Sequence, residues 1–429
     1  MKKTGFYSVC SGFQSVCLRL FFVALFLMLV NMNAFGQTAY IANIGDSSVT
    51  VINVSTNTVI DTIRVGTSPR SVSVSYDGTR VYVANIGSNT VDVINTATNS
   101  VTATIPVGVS PIGICVTPDG SKVYITNYDD SSLSVINTAT NTVSAIIPVS
   151  NSPTGVAVSP DGNLVYVTHL NGNSLSVINT SNNIITANIP VGHGPECIAV
   201  SPDGTKIYVS NSVDYSVNVI NAITNMVTDT ILVGSYPQGI AISPDGTKLY
   251  VAIGGDNSVQ VINLATNVVS NPIAVGINPQ GISVSPDGSK IYVANSDNNT
   301  VSVLDPLTNT ISATITVGWG PISFGNFISS YSQPSGIPSP SFESDAITLY
   351  PNPANTILNI RNQSGIRNYE LGIIDVMGNE VYHQSSNSQL SILNSQLLSI
   401  DISNLSKGVY FYQLRSDKHS QNGKFVVEK

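Results

Sequence analysis

Between residues 111 and 152 the apolar positions fall into four short runs separated by turn residues. Residues 112–117 form the first run, and Pro118-Asp119-Gly120 closes it, because proline presets a turn and glycine accepts positive φ. Residues 122–127 and 132–136 follow, then 142–149 after the turn Asn137-Thr138-Ala139-Thr140-Asn141. Four strands fit so short a stretch only with tight turns, so the pattern predicts an up-and-down meander of strands A to D. Runs such as Val123-Tyr124-Ile125 are apolar on both faces. A meander of this kind needs a neighbour on each side.

The neighbours are copies of the same unit, which recurs every 42 residues without insertion. Tyr40, Tyr82, Tyr124, Tyr166, Tyr208, Tyr250 and Tyr292 form one column, and Pro69, Pro111, Pro153, Pro195, Pro237, Pro279 and Pro321 another. A third runs Asn53, Asn95, Asn137, Asn179, Asn221, Asn263 and Asp305. The repeat region begins at Tyr40 with a B strand and ends with a lone A strand at 322–327, so the two fragments sum to one unit. The Asp-Gly turn has six members, Gly78 to Gly288, and the missing seventh marks the seam. An open solenoid would need polar caps, and none is visible. The expectation is an all-β, seven-bladed β-propeller over residues 37–328.

The tetrapeptides Tyr82-Val83-Ala84-Asn85, Tyr124-Ile125-Thr126-Asn127 and Tyr292-Val293-Ala294-Asn295, each preceded by an Asp-Gly turn, resemble the YVTN family of β-propeller repeats. The resemblance covers residues 38–328. It implies the fold and leaves the activity open, since propellers of this type serve in surface layers, adhesion and some enzymes. His169 and Ile253 depart from the final asparagine.

After Phe327 the register stops, and residues 329–345 are rich in Ser and Pro, as an extended linker is. Apolar runs at 347–350, 356–360, 369–375, 380–382, 398–402, 408–414 and 423–427 predict seven short strands and a small immunoglobulin-like β-sandwich over 346–429. Tyr350-Pro351-Asn352-Pro353, Asp375-Val376-Met377-Gly378 with Val381, Leu405-Ser406-Lys407-Gly408-Val409-Tyr410, and 424–429 with Lys424 and Lys429, resemble the type A C-terminal sorting domain of type IX secretion. The resemblance implies export across the outer membrane of a Gram-negative bacterium, with that machinery as the partner of residues 346–429. It further implies cleavage in the linker, leaving the propeller extracellular or on the outer surface.

Charge and composition sharpen this picture. Residues 1–36 hold Lys2, Lys3 and Arg19 but no acid, then an apolar run at 20–30 and the small-residue end Ala34-Phe35-Gly36. That is the layout of a signal peptide cleaved before Gln37. Eleven apolar residues are short for a membrane span, and no cysteine follows them to carry a lipid. The remaining chain has 14 basic against 25 acidic residues, a balance that repels phosphate backbones and anionic membranes, so no nucleic-acid partner and no transmembrane segment in the mature chain are expected. Cys10 and Cys17 leave with the signal. Cys115 and Cys197 occupy different columns two repeats apart, too far for a disulfide.

The meander puts the nearly invariant A–B and C–D turns on one face and the variable B–C and D–A loops on the other. On the variable face, the residue after each proline is Arg70, Ile112, Thr154, Glu196, Gln238, Gln280 or Ile322; His193, Tyr236 and Trp319 lie just before the proline. The B–C loops add Asp46, Tyr128, Asp129, Asp130, His169, Asp214 and Tyr215. Candidate ligand-binding residues are therefore Arg70, His169, His193, Glu196, Tyr236 and Trp319. His169, His193 and Glu196 are the one group resembling acid/base or metal-ligand equipment, though no fixed ligand spacing links them. No haem motif, phosphate-cradling loop or nucleophile elbow is present. The expectation is a monomeric, non-catalytic binding module for a protein or glycan, with no cofactor or metal. A lyase or lactonase-like hydrolase and a passive surface coat are the alternatives.

Overall fold

A computed structural model describes residues 37–329 continuously and, between 347 and 427, seven strands with the segment 402–406. Two compact units result, one ending at Gly336 and the other beginning at Ile337. The segment read as a signal peptide and the linker beyond Ser329 lie outside the described residues. Among the described residues no helix is long and apolar enough to cross a membrane.

Each full repeat is a four-stranded antiparallel sheet in chain order. In the third blade the strands are Pro111–Val116, Lys122–Asn127, Ser132–Asn137 and Thr142–Pro148, with Tyr124 opposite Val135. The glycine of each Asp-Gly turn sits at positive φ, 71° at Gly120. Asp119 accepts hydrogen bonds from the Thr117 hydroxyl (2.6 Å) and the Ser121 N–H (3.0 Å), which hold its carboxyl below the usual range. The last asparagine of each C–D turn, Asn141 in this blade, is also left-handed, a conformation asparagine tolerates.

All seven column tyrosines are buried between blades. Tyr82 packs with Val91 and Val93 of its own blade and Ile114, Val123 and Ile125 of the next. Burying one such ring stabilises the fold by roughly 1.5–3 kcal/mol, and the outermost strands, with one face left to solvent, alternate exposed and half-buried positions. A polar strap reinforces the seams: Lys122 Nζ reaches the Thr180 carbonyl of the following blade at 2.6 Å, and Lys248 reaches that of Pro306 at 2.9 Å.

The ring closes. The first sheet has three strands, Thr38–Asn43, Ser48–Asn53 and Thr58–Arg64, and the chain from 321 to 329 completes it. Ile322 N–H donates to the Ala42 carbonyl (3.0 Å), and Ser329 N–H to that of Thr38 (2.9 Å). Lys290 of blade seven also bonds the Val54 carbonyl of blade one. The closing segment is not the regular strand expected at 322–327. Ser323 and Gly325 take positive φ, and the bonds alternate partners, Val72 N–H and Val74 N–H donating to the Phe324 and Asn326 carbonyls of the segment. With no Asp-Gly turn after it to fix its register, this stretch serves blade one on one side and the inner strand Pro69–Val74 of blade two on the other.

In the second unit all seven expected strands are present: Ile347–Tyr350, Ile357–Asn362, Tyr369–Ile374, Glu380–Ser385, Leu397–Asp401, Gly408–Ser416 and Ser420–Val427. They form one sheet of three and one of four, and Ile400 of the first and Leu371, Ile373 and Tyr412 of the second are buried. Tyr410 donates its hydroxyl to the Ser406 carbonyl at 2.9 Å, tying two of the sorting-motif residues together. Pro351, Asn352, Pro353 and Lys429 lie outside the described residues.

Candidate functional site

The inner strands of the blades surround a channel whose cavity measures about 600 Å³. They approach so closely that glycine is required two positions after several of the column prolines. A Cβ on Gly155 would stand 2.5 Å from the Glu196 carbonyl oxygen, and one on Gly239 2.5 Å from that of Gln280. Hydroxyls on the B strands serve the same seam, Thr168 donating to the Glu196 carbonyl (3.1 Å) and Ser210 to that of Gln238 (2.7 Å).

Thr154 and Glu196 line this channel, and the charge of Arg70 acts on Glu196. Burial pushes the Glu196 carboxyl up, and the positive charge of Arg70 opposes that shift without reversing it. The Arg70 guanidinium lies over the Phe324 ring at 5.6 Å, and its Nε is buried without a hydrogen-bond partner. Arg70 also lines a pocket of about 510 Å³ with Gln280, Asp297 and Trp319. The Trp319 indole is 66% exposed and lies on Gly45, where a Cβ would meet Cδ2 at 2.6 Å. Its backbone is fixed by the Asp46 carboxylate, which accepts from the Trp319 N–H at 3.0 Å.

His169 and His193 are each engaged by other partners. His169 was expected on a surface loop, but it ends the strand Leu164–His169 and is fully buried. It occupies the position at which the side-chain amides of Asn43, Asn85, Asn127, Asn211 and Asn295 donate to a hydroxyl, carboxylate or amide oxygen of their own C strands. Its Nδ1 lies 3.0 Å from the Ser150 carbonyl and its Nε2 2.8 Å from the Ser176 hydroxyl. Burial lowers its pKa to about 4, with the Ser150 carbonyl opposing, so the ring is a neutral structural spacer. His193 instead is exposed and pairs with Asp214 at 2.9 Å. Among the described residues no group of three His, Cys, Asp or Glu side chains could hold a metal.

The fold agrees with the family comparison. The family model described as "Lactonase, 7-bladed beta-propeller" matches residues 94–314, just over half of the chain. The chain belongs to this family. A second model, "Secretion system C-terminal sorting domain", matches residues 348–428, so this lactonase-family propeller carries a tail that implies secretion to the cell surface or beyond. No curated protein matches the chain. Many solved structures share the fold of this lactonase-family protein, three of them as follows. Kuenenia stuttgartiensis hydrazine synthase is 24% identical over 59% of this chain and 88% of that one, with a TM-score of 0.56. A functionally unknown protein from Desulfotomaculum acetoxidans is 16% identical over 68% and 100%, with a TM-score of 0.59. A putative 6-phosphogluconolactonase from Bacteroides uniformis is 18% identical over 67% and 98%, with a TM-score of 0.57.

Of the residues that sequence reasoning singled out, the structure brings Arg70 and Trp319 into one pocket, beside Asp297 and Phe324, which that reasoning did not name. Phe324 lies in the shifted closing segment, where the column no longer predicts direction. Asp297 sits in a B–C loop of blade seven, in the same column as Asp129, so the comparison that singled out Asp129 would have found it. Tyr236 stands apart from this pocket, at the seam of blades five and six, with its ring 52% exposed.

Proposed function

We propose that this is a secreted, monomeric propeller that binds a protein or glycan at the mouth of its channel and performs no chemistry on it. The observation that carries this reading is the convergence of Arg70 and the exposed Trp319 in one pocket. A ligand oxygen can accept from the guanidinium, and a flat or apolar ligand face stacks on the indole. In this reading a signal peptide is removed before Gln37, the type IX machinery receives residues 346–429, and a YVTN-type repeat builds the scaffold. Trp319 is the sole tryptophan, so its fluorescence reports on this pocket. Titrating the purified protein with cell-envelope and host glycans and proteins should give ligands that shift its emission and are lost in R70Q. A ligand set that R70Q and W319A bind as well as the natural sequence would sink the reading.

A second reading is hydrolysis of a lactone, favoured by the family and by Glu196 at the mouth. Its raised pKa suits a proton acceptor, and Arg70 supplies positive charge. Water would add to the ring carbonyl carbon and the ring C–O bond would break, with the attacking water's proton passing through Glu196 to the departing oxygen. Proton release from glucono-δ-lactone or its 6-phosphate, followed by pH-stat and abolished in E196Q, would decide for this reading.

A further inference from the structure

The two exposed tyrosines of the blade five to six seam occupy conformations that tyrosine ordinarily avoids. Tyr215 has φ 53° and Tyr236 φ 54°. A bulky residue there is a strained outlier. The repeats provide six internal comparisons for each. The Tyr215 position holds Ser47, Asn89, Ser131, Asn173, Asn257 and Asn299, and that of Tyr236 holds Ser68, Ser110, Ser152, Gly194, Asn278 and Gly320, all at positive φ. The asparagines do a job there. The Oδ1 of Asn89 accepts from the Ser110 N–H at 2.9 Å, and that of Asn257 from the Asn278 N–H at 2.9 Å. Tyr215 forgoes this bond.

What the fold gains in exchange is an aromatic step. The rings meet edge to face, centroids 5.3 Å apart at 61°, with Tyr215 38% and Tyr236 52% exposed. Val213 and Leu232 beside them are exposed too, at positions where the other repeats carry Gly, Asn or Asp, and Arg, Pro, Ala or Thr. Strain at both residues, confined to one seam and exposed to solvent, points to a surface kept for a ligand.

The chemistry of the patch selects that ligand. Four side chains are far too few for a stable protein interface, which buries about 800 Å² on each partner. An anion is disfavoured by Asp214, next to Tyr215, and by Asp256, whose carboxylate takes the Ser235 N–H at 3.0 Å and whose charge acts on Tyr215. Two phenol rings offer apolar faces and hydroxyls together, matching a molecule with C–H bonds on one face and hydroxyls at its rim. We infer that Tyr215 and Tyr236 form a binding platform for an uncharged pyranose of a glycan, at a site separate from the Arg70 and Trp319 pocket.

The test is native electrophoresis of the full chain through gels holding dextran, laminarin or galactomannan, beside thermal melting. The natural sequence should be retarded in at least one gel. The double variant Y215N/Y236N, which restores residues used by other repeats, should lose that retardation and melt at a higher temperature. Y215F/Y236F, which keeps both rings, should retain part of it. Equal migration of the natural sequence in all three gels, undiminished retardation of Y215N/Y236N, or a lower melting temperature for that variant would each overturn the proposal. R70Q and W319A should be retarded like the natural sequence, so this site and the mouth pocket fail separately.

Discussion

The backbone N–H of Tyr40 donates to the carbonyl oxygen of Phe327 at 2.9 Å, joining the first strand of the propeller to its last segment. Phe327 is fully buried and packs in the same cluster as Tyr40, Ile41 and Val72, so the seam is apolar as well as hydrogen-bonded. Truncating it removes the fully buried one of the two phenyl rings of the closing segment. F327A should destabilise the propeller by about 3–5 kcal/mol. Urea unfolding followed by the fluorescence of Trp319 measures this in the full chain, because that residue lies in the propeller. A loss under about 1 kcal/mol, the range of tolerated core changes, would show that closure does not depend on this packing.

The closure itself was legible because two chain ends, each an incomplete meander, add to one unit. Strand positions in the second unit were equally legible, for apolar runs between turn residues leave little freedom. Side-chain environment was harder to read. His169 looked like chemistry because histidine is rare in this chain, yet it substitutes for Asn127 and its counterparts in a buried network. That network depends on bonds to Ser150 and Ser176, 19 and 7 residues away in sequence, which periodicity does not reveal. Tyr215 and Tyr236 sit 21 residues apart, and their contact arises only once the D–A loop folds over the B–C loop.

The neutral His169 gives the propeller a specific acid sensitivity. Its folded pKa of about 4 lies below the ordinary 6.5. Above pH 6.5 both folded and unfolded chains hold it neutral, so it has no effect there. As the pH falls below 6.5 the unfolded chain takes up a proton that the folded ring refuses, and stability is lost down to about pH 4. At about 1.4 kcal/mol per pH unit the loss reaches roughly 3 kcal/mol. H169N should flatten that limb of the stability profile between pH 6.5 and 4 while leaving the carboxylate-driven loss at lower pH. Parallel profiles for the two proteins would refute the assignment.

Packing of the inner strands predicts unequal tolerance at equivalent positions. Gly155 has no room for a Cβ, whereas Cys197, one repeat later in the same column, already carries a side chain. G155V forces a carbonyl contact and should cost about 1–3 kcal/mol or more, while C197A should cost less. Side-by-side urea midpoints of the two variants check the order, and equal midpoints would mean the blades can spread.

The seating of Trp319 on Gly45 predicts how the mouth pocket can be opened without disturbing the latch. The latch is carried by backbone groups: Gly45 N–H donates to the Trp319 carbonyl at 2.9 Å, and Ile44 N–H to that of Gly320 at 3.0 Å. G45A adds one methyl group beneath the indole, at 2.6 Å from Cδ2, so the ring must lift toward solvent while these bonds persist. Emission should shift to the red and iodide quenching should rise, with the urea midpoint changed by less than about 1 kcal/mol, as for a surface adjustment. If the ring is a ligand platform, the lifted indole should also weaken every ligand that R70Q weakens. An unaltered spectrum would mean that Gly45 does not support the ring. A spectrum altered together with a collapse in stability would mean that Trp319 is part of the latch, and its exposure would then reflect the geometry of closure.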